Sequence, residues 1–191
     1  SVCAILARVY LTMGENQLAV TNATAAITGD GSDMADTQGF SKVYTTSMAV
    51  PEVLFRIALK SDDGILPGNS WGQGATTSYV GNYSVSCGLR ELYTTTDCRN
   101  SVIKMVTSES GNMVWKWANG GASAGLVDIP LIRTAEMYLT RAEANYNLKQ
   151  YTPALADLNI VRSKRYSDYE AGNESGESLE KAIQLQRRLE L

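Results

Sequence analysis

Histidine is absent from the 191 residues. That one absence removes Ser-His-Asp and Cys-His catalytic groups, histidine-ligated zinc and imidazole acid–base chemistry. Any catalysis would rest on carboxylates, Lys, Tyr or Cys. A basic excess is lacking too: 17 Lys and Arg face 20 Asp and Glu, for a net charge of −3. Nucleic acid is therefore not an expected partner, because phosphate neutralisation needs clustered Lys and Arg. No apolar run is long enough to span a bilayer. Cysteine is scarce, and no CxxC joins Cys3, Cys87 and Cys98. Two readings stand for these thiols: a Cys87–Cys98 disulfide in an exported protein, or buried free thiols, the commoner state of unbridged cysteine. No apolar stretch precedes Cys3, which argues against lipidation there. No metal or cofactor motif occurs. The acidic run in "KSDDGIL" lacks the ligand ladder of a calcium loop and reads as a polar turn.

What is present is enough apolar material, 44% of the chain, to fill the core of one domain or two small ones. Val2, Ile5, Leu6, Val9 and Met13 recur at helical spacing on one stripe, and Gly14 suits the position that ends such a helix. A second helix is predicted over 15–28, stopped by Gly29, with a small-residue face of Leu18, Ala19, Ala23, Ala26 and Ile27. The same plan returns later. Ala135, Leu139, Ala142 and Tyr146 repeat over 134–148; Thr152 is then a ready N-cap with Pro153 behind it, opening a helix that carries Leu155, Leu158 and Val161. Superposing the hairpins aligns Ala7 with Ala142 and Ala19 with Ala154. Small residues twelve positions apart let antiparallel helices approach closely, as in tetratricopeptide units. Tyr138 and Tyr146 are expected to pack between helices. Glu136 with Arg133, and Glu143 with Arg141, are expected as helix-surface or hairpin-locking charges.

Between the hairpins lies a segment of different texture, rich in Gly, Ser and Thr. "EVLFRIALK" alternates as a strand, with Val53, Phe55, Ile57 and Leu59 on one face, and "MVWKW" places Met113, Trp115 and Trp117 together in a core-facing strand. The predicted organisation is a helical hairpin at 1–29, an irregular insert at 30–128, a second hairpin at 129–166, and a linker with the start of a further helix at 167–191. Both ends fall inside helical patterns, so a longer polypeptide is expected.

The stretch "DIPLIRTAEMYLTRAEANYNLKQYTPALADLNIVRSKR" resembles the signature region of the RagB/SusD family of cell-surface nutrient-binding lipoproteins. The matching positions are Pro130, Arg133, Ala135, Glu136, Tyr138, Leu139, Arg141 to Ala144, Ala154 to Asn159, Val161 and Arg162. "SVCAILARVYLTMGENQLAV" resembles the unit before it, Asp97 and Arg99 match the family's Asp-x-Arg pair, and "LQRRLEL" resembles the start of its next helix. The resemblance covers essentially the whole chain, although family members are much longer. It implies a mainly α fold of tetratricopeptide-like hairpins carrying a ligand-binding insert, with no enzymatic activity. It also implies a lipid-anchored protein at the outer membrane of a Bacteroidetes-type bacterium, seated over a TonB-dependent SusC-like transporter. Such proteins capture glycans, or in some members peptides, for import.

Capturing a glycan without chemistry needs flat aromatic faces for sugar C–H surfaces and neutral groups for hydroxyls. Trp71 in "GNSWGQG" fits, with Asn69 and Gln73 beside it and Tyr79, Asn82 and Tyr83 following. The competing reading is that Trp71 anchors its loop to the core, as large aromatics often do; glycines on both sides are poor core neighbours and favour the surface. One ring is insufficient. Covering about 100 Å² of apolar sugar surface is worth about 2.5 kcal/mol, while association costs about 4 kcal/mol or more. Two or three aromatics and several hydrogen bonds must cooperate.

Overall fold

The computed structural model describes residues 2–29, 33–44, 52–60, 62–63, 85–105, 112–114, 116 and 126–191. Two helices open it: α1 (Val2–Met13) and α2 (Asn16–Gly29). Gly14, at φ +78, makes the left-handed turn between them that glycine adopts without steric cost. The buried face of α1 is Ala4 and Ala7. The large stripe faces outward instead: Val2, Ile5, Val9 and Met13 are all exposed. Alanines let α1 lie close on α2, whose Ala19, Ala23 and Ala26 are likewise buried, and that close approach decides which apolar face is covered. Leu18 is exposed and Gly29 is the last helical residue rather than the stop.

The intervening part contributes a 3-10 turn at Phe40–Tyr44, strand β1 (Val53–Ile57), the short α3 (Cys87–Arg90), a second 3-10 turn at Cys98–Val102, and strands β2 (Ile103–Met105) and β3 (Asn112–Val114). Strand β4 (Ile129–Arg133) pairs antiparallel with β1, and β2 with β3. The β1–β4 register slips on both sides of Phe55, and Phe55 and Ile57 point outward. Asp63 accepts the Lys60 N–H at 2.7 Å, the kind of side-chain cap that polar turns use. Trp115 and Trp117 lie outside the described residues. All three cysteines are free; Cys3 and Cys98 are half-buried, but Cys87 is exposed.

Helices α4 (Thr134–Asn147), α5 (Tyr151–Arg165) and α6 (Gly176–Glu190) complete the chain. Lys149, at φ 61, supplies the left-handed residue of the α4–α5 turn. The α5 cap differs from expectation: Gln150 precedes the helix and Pro153 is its third residue. Proline is tolerated there because first-turn N–H groups have no intrahelical acceptor. Ser175 and Ser178 close a reciprocal cap on α6. Packing is sequential, α1 on α2, α2 on α4, α4 on α5, with α6 against both α4 and α5. Ala142, Ala154, Leu139, Leu158, Leu179 and Ile183 form the main core, with Tyr138 and Tyr146 packed at its edge. The fold is mainly α, helical hairpins with an irregular segment containing short strands between them.

Candidate functional site

Where the irregular segment meets the helices, six charges are buried together. Glu52 sits just before β1 at φ 90, a strained setting for a residue with a Cβ. The Thr134 N–H holds it there by donating to the Glu52 carbonyl at 2.8 Å. Its carboxylate turns inward and accepts from the Ala35 N–H at 2.9 Å, Arg133 at 2.9 Å and Arg165 at 2.6 Å. Glu190, in the last turn of α6, accepts from Arg133 at 2.6 Å, Arg165 at 2.9 Å and Arg99 at 3.2 Å. Asp97 and Arg99 form the pair expected from the sequence, with Arg99 Nη2 2.7 Å from Asp97 Oδ2. Arg99 also donates to Gln186 and Tyr166, each at 3.0 Å.

Three arginines and three carboxylates therefore cancel, and the guanidinium faces lie on rings: Arg165 over Phe40 at 4.6 Å and Arg133 over Tyr44 at 5.7 Å. Burial pushes the Glu190 carboxyl up, but Arg165 and Arg133 outweigh it and hold it well below the usual carboxylate range. A carboxyl so held stays ionised near neutrality and has no proton to donate.

The helix-surface pairings expected from sequence are replaced by longer-range ones. Glu136 is gripped by Arg8, at 2.7 and 2.8 Å, not by Arg133. Arg141 binds both oxygens of Asp157 at 2.8 Å, and Glu143 pairs with Arg187 at 3.0 Å.

Two clefts flank the charge network. The first, with a volume of about 400 Å³, is lined by Arg8, Tyr44, Lys116, Pro130, Leu131, Arg133, Glu136, Arg187 and Leu191. The second, about 260 Å³, is lined mainly by Phe40, Val85, Leu89, Tyr93, Val102, Ile103, Val114 and Leu189, with Arg99, Lys116 and Glu190 at its polar side. Burial pushes the Tyr93 hydroxyl up to about 12, and it donates to the Leu189 carbonyl at 2.9 Å. The first volume falls within the range of ligand pockets, about 300–1,000 Å³.

The residues expected to hold ligand, Asn69, Trp71, Gln73, Tyr79, Asn82 and Tyr83, all lie outside the described residues. The cleft residues Arg8, Tyr44, Lys116 and Arg187 were not singled out by sequence reasoning, and no local spacing pattern joins them. Among the described residues no helix is long and apolar enough to cross a membrane.

The helical hairpins, the short strands and the charge network that joins them define a mainly α scaffold. The chain belongs to the SusD family, whose model matches residues 25–191. Among solved structures it is similar to a SusD superfamily protein from Bacteroides thetaiotaomicron, at 24% identity and a TM-score of 0.81, covering 98% of this chain and 46% of that one. A SusD superfamily protein from Bacteroides vulgatus aligns at 22% identity and 0.79, covering 98% and 45%. A SusD-like carbohydrate binding protein, also from Bacteroides vulgatus, aligns at 24% and 0.73, covering 99% and 41%. The chain thus spans less than half the length of these three structures. No curated protein matches it.

Proposed function

We propose that this chain is part of a cell-surface protein that binds glycans without altering them and passes them to a TonB-dependent, SusC-like transporter. The family match over residues 25–191 carries the reading. A structural relative described as carbohydrate binding supports the ligand class. A lipid anchor at the outer membrane of a Bacteroidetes-type bacterium is part of the same proposal. Within the chain, ligand capture is assigned to the insert at 30–128, with Trp71, Tyr79 and Tyr83 as the aromatic surface and Asn69, Gln73 and Asn82 as the polar partners.

The carboxylates of the charge network are spent on arginines and do not serve as an acid–base pair. Glycoside cleavage needs a pair of carboxyl groups, one of them protonated, flanking the bond. Asp157, whose carboxyl burial raises despite Arg141, lies inside the α4–α5 hairpin with both oxygens occupied.

The experiment is a calorimetric screen of the protein against oligosaccharides and peptides, with product analysis of every mixture. Saturable glycan binding with intact sugar is the expected result. Binding confined to peptides would move the protein to the peptide-capturing alternative. Cleavage that disappears on mutating an Asp or Glu would overturn a binding-only role.

A further inference from the structure

We draw no further inference here: the strongest candidate, the exposed apolar stripe of Val2, Ile5, Val9 and Met13 along α1, is an unpartnered helix face, and nothing in the structure shows what covers it.

Discussion

Glu190 and Arg133 meet at 2.6 Å although 57 residues separate them in the chain. The contact ties the last turn of α6 to the end of β4, and through Glu52 and Arg165 it reaches β1 and the end of α5. Four elements are thereby fixed against one another by ions that are almost wholly buried.

Glu190→Gln is expected to destabilise the protein by about 3–5 kcal/mol, the range for removing one partner of a buried ion pair. The cost comes from Arg133 and Arg165, which keep their charge and lose a counterion. Urea unfolding measures it; a loss below about 1 kcal/mol would mean the network is hydrated and weak.

Acid should act through the same carboxylate. A folded-state pKa held well below the ordinary 4.5 means the stabilisation is complete above that value and is lost as pH falls through the folded pKa. Melting temperature should therefore decline from pH 5 toward pH 3, and Glu190→Gln should decline less over the same interval. Parallel decline in the two proteins would assign acid sensitivity to other groups.

Thiol labelling separates the cysteines. Burial pushes the Cys98 thiol up to about 12, so at pH 8 only about one part in ten thousand is the reactive thiolate. Cys87 is exposed. In native protein at pH 8, Cys87 should label quickly and Cys98 only on unfolding, as Cys98→Ser and Cys87→Ser variants would resolve. Rapid native labelling in Cys87→Ser that vanishes on adding Cys98→Ser would contradict the burial.

Close helix approach predicts an asymmetry between two substitutions. Ala142 is fully buried in the core shared with α5 and α6, so Ala142→Leu should cost about 1–3 kcal/mol by overpacking. Ile5, 45% exposed on α1, should tolerate Ser within about 0.5 kcal/mol. Chemical denaturation of both variants is the measurement. Reversed magnitudes would mean that the Val2–Met13 stripe is the buried one.

For the proposed ligand surface, Trp71→Ala is expected to weaken glycan binding at least tenfold with no fall in melting temperature. Unchanged affinity, or a large loss of stability, would return Trp71 to a core role.

Period and punctuation made the helices readable. Apolar residues at 3.6-residue spacing, Gly14 at its turn and the small positions Ala7, Ala19, Ala142 and Ala154 are local signals, and each falls where helix geometry requires it. The stretch from Pro130 to Arg162 likewise sufficed to indicate the family. Periodicity does not say which of two apolar faces is covered, and α1 has two. Nor does spacing choose among charges: Glu136 has Arg133 three residues away and bonds Arg8, 128 residues distant. By itself, then, the sequence determined helix positions, the family and the absence of imidazole chemistry, because these depend on composition and short spacings. Only the tertiary structure decided that Glu52, Asp97 and Glu190 are buried against Arg99, Arg133 and Arg165, and that Lys116 and Arg187 share a cleft. Those groupings are set by chain reversals that bring distant residues together, and no local pattern encodes them.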